Sequence, residues 1–126
     1  MRLPAVTKQV RPLEPLEAAR AAVEATADKQ AEDIVLLDLR SLEAFAEYFV
    51  VCTADNPRQM STVAGAVEKA LEDRGGGAHH TEGTDASGWV LLDYGYLIVH
   101  IFSPQQRTYY DLERAWAKAA QVVRIQ

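Results

Sequence analysis

The sequence has only one cysteine and no long apolar run, and both absences limit what kind of protein it can be. Because Cys52 has no second cysteine to pair with, no intramolecular disulfide can form, which is typical of a reducing compartment. No basic segment followed by an apolar stretch stands at the start, and no apolar run approaches the length of a membrane span. We therefore expect a cytoplasmic protein without a membrane partner.

Positive charge is absent from one long stretch in the second half of the chain. No lysine or arginine occurs between Gly75 and Gln106, whereas Glu82, Asp85 and Asp93 are acidic, and the formal net charge of the whole chain is −5. Binding to nucleic acid without sequence preference depends on neutralising phosphates with lysine and arginine. We therefore expect no direct nucleic-acid binding, and an acidic surface of this kind suits docking onto a basic protein.

Motifs that bind phosphate or metal are missing as well. Neither G-x-x-x-x-G-K-[ST] nor G-x-G-x-x-G occurs. A nucleotidyl transferase needs two carboxylates on a strand to hold its metal ions, but Asp93 has no partner because position 96 is Tyr96. His79 and His80 are adjacent, so on a strand they point to opposite faces and cannot share a metal. We expect no metal site and no cofactor.

Cys52, His100 and Asp93 are the residues from which a cysteine nucleophile and its base could be assembled. Such catalysis requires an exposed thiol with a lowered pKa. Cys52 lies inside the apolar run 48–53, where burial raises the pKa of a thiol, so we expect a small core residue. The sequence predicts no catalytic residue. A small nucleotidyltransferase-like or cysteine-dependent enzyme is the alternative function.

A chain of 126 residues predicts a single domain. Residues 1–13 read as a flexible N-terminal extension, 14–120 as the domain and 121–126 as a C-terminal tail. Hydrophobic periodicity and turn signals predict helices at 15–30, 57–74 and from 104 onwards, and strands near 34–37, 48–53, 78–82, 89–93 and 96–102. The strands joined by the second helix can be parallel neighbours, and the last two should be antiparallel. The predicted fold class is α/β (α+β), a mixed five-stranded sheet flanked by helices.

The segment from Gly88 to Phe102 gathers a tryptophan and two tyrosines in two apolar strands about a tight turn. The pattern Arg-x-Tyr-Tyr-x-Leu-Glu-x-x-Trp follows at 107–116, and Tyr-Phe-Val-Val-Cys-Thr at 48–53 and Glu82-Gly83 precede it. In this order and spacing, over about residues 15–118, the chain resembles the ribosomal silencing factor family, also called RsfS or Iojap-like.

The resemblance implies a nucleotidyltransferase-like fold without a catalytic site. It also implies a translation repressor that binds the large ribosomal subunit through ribosomal protein L-fourteen and sterically blocks association with the small subunit. A homodimer off the ribosome and the absence of enzymatic activity are implied too. The chain departs from the family pattern at Glu47, Ala54 and Tyr96, and Tyr96 replaces an acidic residue of the expected docking edge.

Eight residues are candidates for contact with the ribosomal protein. Three aromatic side chains are expected to be exposed anchors, since aromatic residues dominate binding hot spots, and two carboxylates are expected to pair with lysine or arginine of the partner. His100 shares a strand face with apolar neighbours, so it is either a packed histidine held by Asp93 or by the Arg107–Glu113 pair, or a contact at a groove. The full set is Trp89, Asp93, Tyr94, Tyr96, His100, Arg107, Tyr110 and Glu113, with Trp89, Tyr94 and Tyr110 as anchors and Asp93 and Glu113 as the carboxylates.

Overall fold

A computed structural model describes residues 13–77 and 79–126, so the predicted extension at 1–13 lies outside the described residues except for its last position. Within these described residues, four helices and six strands are joined by short connections, two of which contain a 3₁₀ turn. In chain order they are α1 Pro15–Asp28, β1 Glu32–Asp38, β2 Tyr48–Thr53, α2 Pro57–Asp73, β3 His80–Thr84, β4 Trp89–Asp93, β5 Leu97–Phe102, α3 Pro104–Tyr110, α4 Leu112–Ala115 and β6 Ala120–Ile125.

The starts of α2 and α3 follow directly from local sequence chemistry. Asn56 and Ser103 each stand before a proline, which fits the first helical position because it has no N–H to satisfy. The side chain of Asn56 accepts a hydrogen bond from the backbone N–H of Gln59, and Ser103 accepts one from that of Gln106. Both caps satisfy a backbone donor that the first helical turn leaves free.

The mixed sheet flanked by helices is confirmed, but in the part of the chain that the structure describes it has six strands and not five. Their order is β3-β4-β5-β2-β1-β6. The additional strand β6 lies mostly in the segment predicted as a C-terminal tail, and it pairs antiparallel with β1, with Ile125 opposite Ile34. Its sequence, Ala-Gln-Val-Val-Arg-Ile, is neither a continuous apolar run nor a strict alternation, which are the patterns by which strands are recognised, and most of its residues are exposed.

The parallel neighbour of β2 is β5, and not β3 as predicted. Val50 of β2 lies opposite Val99 of β5, and every residue of both strands is buried. Every residue of β3 is exposed, and this strand forms an outer edge of the sheet. The arrangement has a simple cause, because continuous apolar strands gain most from the middle of a sheet and polar strands are tolerated at its edge.

The two faces of the sheet are covered unequally. Helices α1 and α2 pack their apolar stripes onto one face and form the larger core cluster with Leu36, Val50 and Val99. The opposite face holds a smaller cluster that includes Phe49 and Phe102. Its helices, α3 and α4, are only seven and four residues long. On this face the side chains of β3 and β4 therefore remain exposed or half-buried.

The last predicted helix is divided in two at Asp111, which has a positive φ of 46° and ends α3. The helical spacing of Leu112, Ala115, Trp116 and Ala119 predicts that all four face inward. Three of them pack against the smaller core cluster, but Ala115 is exposed. All four residues follow this break, and α4 already ends at Ala115, so helical spacing does not extend to Trp116 and Ala119.

Two glycines predict opposite effects of the same substitution. Gly65 lies inside α2 with no neighbouring atom near an added Cβ, so Gly65→Ala should raise the unfolding free energy by about 1 kcal/mol. Gly83 has a φ of +79°, and an added Cβ would collide with the carbonyl oxygen of Trp89. We expect Gly83→Ala to lower the unfolding free energy by about 2 kcal/mol or more. Urea denaturation measures the unfolding free energy of both variants. Equal changes in the two variants would contradict the backbone geometry of β3.

Candidate functional site

On the face of the sheet that α3 and α4 cover, the part nearest β3 carries a group of large apolar side chains. The ring centre of Trp89 on β4 lies 4.4 Å from that of Tyr110 at the end of α3 and 5.0 Å from that of Phe102 on β5. Leu91 stands two positions after Trp89, so both side chains leave the strand on the same face. Trp89 and Leu91 are half-buried, and Tyr110 is 45% exposed. We call Trp89, Leu91 and Tyr110 the aromatic face.

A cavity of about 170 Å³ lies between the aromatic face and the edge strand β3. Glu82, Gly83 and Ser87 complete its lining. Glu82 on β3 lies directly opposite Leu91 on β4, so a carboxylate lies beside the apolar and aromatic side chains that line the cavity. A long side chain with an apolar stem and a positively charged end matches both parts of this lining.

Acidic groups surround this end of the sheet. The carboxylate of Asp93 accepts a hydrogen bond from the N–H of Gly95 at 2.8 Å, which closes the turn between β4 and β5. On β3, His80 is the ladder neighbour of Asp93, and its Nε2 lies 3.4 Å from a carboxylate oxygen of Glu82. Because residues 75–106 contain no lysine or arginine, this surface favours a basic partner.

His100 lies beneath the aromatic face, and the structure decides between its two predicted roles. Its side chain is only 4% exposed, and its Nδ1 accepts a hydrogen bond from Nε1 of Trp89 at 3.2 Å. Burial lowers the pKa of His100 to about 3, so the imidazole is neutral near pH 7. It is a packed histidine, but it is held by Trp89 and not by Asp93 or by the Arg107–Glu113 pair.

Arg107 is directed inward from α3 and does not belong to the aromatic face. It is 8% exposed, and its Nη1 donates a hydrogen bond to the hydroxyl of Thr53 at 2.8 Å. Its Nε donates to a carboxylate oxygen of Glu113 at 2.9 Å, and its Nη2 lies 3.5 Å from a carboxylate oxygen of Asp33. A buried guanidinium needs such partners to offset its loss of hydration.

Arg124 on β6 closes the same cluster from the other side. Its Nη2 donates to Asp33 at 2.7 Å, and its Nη1 donates to Glu113 at 3.3 Å. We call Asp33, Arg107, Glu113 and Arg124 the charge ring, in which each arginine contacts both carboxylates. The ring joins β1, α3, α4 and β6. Sequence reasoning did not select Asp33 or Arg124 as functional residues, and 91 positions of sequence separate them.

Tyr94 and Tyr96 lie on the opposite side of the sheet from Trp89, with α1 and α2. Tyr94 is only 8% exposed and belongs to the larger core cluster, so it is not the exposed anchor that we expected. Burial, together with the negative charge of Glu68, raises the pKa of Tyr94 well above its usual value. Its ring stacks on that of His79, with the ring centres 4.9 Å apart. The hydroxyl of Tyr96 donates to the carbonyl of Gly76 at 3.2 Å.

The eight candidate residues therefore divide into three groups. The first group follows β4 and its surroundings: Trp89 and Tyr110 of the aromatic face, His100 buried beneath Trp89, and Asp93 at the other end of β4. Two belong to the charge ring behind α3, namely Arg107 and Glu113. Two pack on the far side, Tyr94 and Tyr96. The signal for Leu91 was available in the sequence, because it alternates with Trp89 along a predicted strand. Placing Glu82 beside these residues required the register in which β3 pairs with β4.

Cys52 is fully buried, and burial raises the pKa of its thiol to about 12, so it is a core residue as expected. Within residues 13–77 and 79–126, no three histidine, cysteine or acidic side chains are grouped so that they could hold a metal ion. In the same part of the chain no helix is long and apolar enough to cross a membrane. The aromatic face with its acidic surroundings is the kind of surface that a protein-binding domain presents.

The chain belongs to the ribosomal silencing factor family. The family model described as "Ribosomal silencing factor during starvation" matches residues 12–126. The chain is 36% identical to the ribosomal silencing factor RsfS of Bacillus subtilis over 92 residues, which cover 73% of this chain and 78% of that protein. It is 35% identical to that of Chromobacterium violaceum over 100 residues, which cover 79% and 82% of the two chains.

Two crystal structures of bacterial proteins have the same fold. One, from Chromobacterium violaceum, superposes with a TM-score of 0.79 at 34% identity and covers 88% of this chain and 94% of its own. The other, from Bacillus halodurans, has a TM-score of 0.70 at 32% identity and covers 80% of this chain and 94% of its own. The family membership makes this chain a ribosome-related regulator of translation.

The charge ring predicts a dependence of stability on pH. Partial burial alone would raise the pKa of Glu113, but the hydrogen bond and charge of Arg107 and the charge of Arg124 lower it below its ordinary value of 4.5. A lowered pKa contributes stability above the ordinary value, and this contribution is lost as the pH falls through the lowered pKa. Glu113→Gln should therefore cost about 2 kcal/mol of unfolding free energy at about pH 7, and much less at about pH 3.

Chemical denaturation at the two pH values measures this effect. Glu24→Gln, at an exposed position of α1, is the control and should leave the unfolding free energy nearly unchanged at both. A Glu113→Gln deficit that stays constant with pH would contradict the ion pairing.

Removing the hydroxyl group should change the unfolding free energy differently at Tyr94 and at Tyr96. The hydroxyl of Tyr94 is buried without a hydrogen-bond partner among the described residues, so Tyr94→Phe should keep or raise the unfolding free energy. Tyr96→Phe removes the bond to Gly76 and should cost about 1 kcal/mol. Thermal unfolding compares the two variants. An equal loss in both would mean that the Tyr94 hydroxyl has a partner, such as an ordered water.

Proposed function

We propose that this protein binds the large ribosomal subunit through ribosomal protein L-fourteen and sterically blocks association with the small subunit, which represses translation. The family membership supports a role on the ribosome. The observation that carries the proposal is the aromatic face, a group of large apolar side chains that are half-buried or exposed on the part of the sheet that no long helix covers. Its acidic surroundings fit the basic character that is common among ribosomal proteins.

In this proposal, Trp89 and Tyr110 are the anchors, and Leu91 fills the space between them and β3. Anchors of this kind carry most of the binding energy of an interface. Glu82 and Asp93 pair with lysine or arginine side chains of the partner. An arginine in the cavity beside Glu82 can stack its guanidinium on the ring of Trp89 while a carboxylate neutralises it.

Repression by this route needs no chemical step. A blocking protein has only to bury enough surface to stay bound, typically about 800 Å² on each partner, at a place where another subunit must land. We propose that the chain is not an enzyme. Cys52, which a cysteine-dependent enzyme would use, is buried, and Asp93, which a nucleotidyltransferase-like enzyme would use, is engaged in a turn. Both residues therefore have structural roles, which supports the proposal.

We also propose a cytoplasmic location, which follows from association with ribosomes. A homodimer off the ribosome and the absence of direct nucleic-acid binding complete the proposal. The net charge of −5 supports the last point, because it opposes approach to a phosphate backbone.

The proposal predicts that the purified protein sediments with large subunits and reduces the formation of complete ribosomes. Trp89→Ala should weaken binding by about 2 kcal/mol or more because it removes an anchor. Asp93→Asn keeps an oxygen that can accept from Gly95, so any loss of binding reports the charge and not the turn. Val122→Ala removes an exposed apolar side chain at the opposite edge of the sheet and serves as the control.

Sucrose-gradient sedimentation of the subunits with each variant decides the matter. Normal subunit joining at saturating wild-type protein would refute the proposed function. Full binding by Trp89→Ala with lost binding by Val122→Ala would move the docking surface to the other edge of the sheet.

A further inference from the structure

The indole N–H of Trp89 is used inside the protein and is not offered to a partner. Nε1 of Trp89 donates to Nδ1 of His100 at 3.2 Å. An indole nitrogen can only donate, so Nδ1 of His100 must carry the lone pair that accepts. The proton of the neutral imidazole therefore sits on Nε2, which is buried without a hydrogen-bond partner among the described residues.

His100 is itself held rigidly in the middle of the sheet. Its ladder neighbours are Leu91 on β4 and Val51 on β2, so both sides of its strand are paired. Its ring is nearly parallel to that of Phe102, at an interplanar angle of 5°, and nearly perpendicular to that of Phe49, with the ring centres 4.7 Å apart. A side chain enclosed in this way has little room to reorient, which gives its acceptor nitrogen a defined position.

We infer that His100 is a positioning residue for the docking surface: its Nδ1 fixes the indole of Trp89 so that the ring and not the N–H faces the partner. This inference deepens the proposed function and rests on it for the docking role. The geometry makes Trp89 an apolar and cation-binding anchor that is already in its bound orientation. It also explains the choice of a polar residue in an otherwise apolar strand, because a leucine could not accept the indole proton.

Holding an anchor in its bound orientation increases affinity because association then costs less conformational entropy. Loss of the hydrogen bond should leave the indole free to rotate against Tyr110. We expect the affinity for the large subunit to fall by roughly threefold to tenfold on this ground alone.

The direct test observes the indole N–H signals of the free protein by ¹⁵N–¹H NMR. The chain has two tryptophans, and Trp116 serves as the internal control after assignment with Trp116→Phe. His100→Leu removes the acceptor, whereas His100→Asn retains an oxygen close to the position of Nδ1. We expect the Trp89 indole proton to exchange slowly with water in the wild type, quickly in His100→Leu, and at an intermediate rate in His100→Asn. An unchanged Trp89 signal in His100→Leu would overturn the inference.

A measurement on the wild-type protein keeps the inference testable even where a variant does not fold. The ¹⁵N chemical shifts of the His100 imidazole must report the tautomer protonated at Nε2. A proton on Nδ1 would rule out the hydrogen bond from Trp89.

Binding to isolated large subunits then tests the docking role in the variants that fold. We expect His100→Leu to lower the affinity by roughly threefold to tenfold and His100→Asn to restore most of it. Faster indole exchange without any change in affinity would refute the positioning role while leaving the proposed function intact. Wild-type protein that does not bind large subunits would refute the proposed function, and the NMR result would still decide the hydrogen bond.

Discussion

The parallel pairing of β2 with β5 is the constraint on which the rest of the structure depends. Both strands are buried along their whole length, so they must lie in the middle of the sheet with cover on both faces. The hairpin then places β4 beyond β5, and the polar β3 closes that edge. The alternation of β4 sends Trp89 and Leu91 to the face that lacks the long helices, and Leu92 to the core beneath them.

The face with short helices needs additional support, and polar interactions supply it. The charge ring joins α3 and α4 to β1 and β6, and α3 carries Tyr110 beside Trp89. His100 fixes the other ring from below. Buried polar groups of this kind cost hydration, and most of their polar atoms are paired, although Nη2 of Arg107 and Nε2 of His100 have no hydrogen-bond partner among the described residues. The docking surface thus stands on a rigid polar support, which is the arrangement that lowers the entropy lost on binding.

Local sequence patterns were sufficient to predict most of the helices and strands, but not which strands pair with each other. The caps at Asn56 and Ser103 and the apolar runs of β2 and β5 follow from interactions within a few residues, so the sequence predicts them well. The strand β6 could not be recognised in this way, because its exposed residues form a strand only by pairing with β1. The pairing of β2 with β5 and the edge position of β3 likewise depend on competition among strands for the buried centre.

The amino-acid sequence by itself determined the family, the acidic and aromatic character of the segment 75–106, and the burial of Cys52, since each follows from residue type and order. It did not determine which aromatic side chains share a surface. Trp89 and Tyr94 are five positions apart on one hairpin, but the pleat and the turn send them to opposite faces. Only the tertiary structure decided that Tyr94 is core, that Arg107 points inward and that Glu82 joins Trp89, because side-chain partners are set by register and by which helices cover each face.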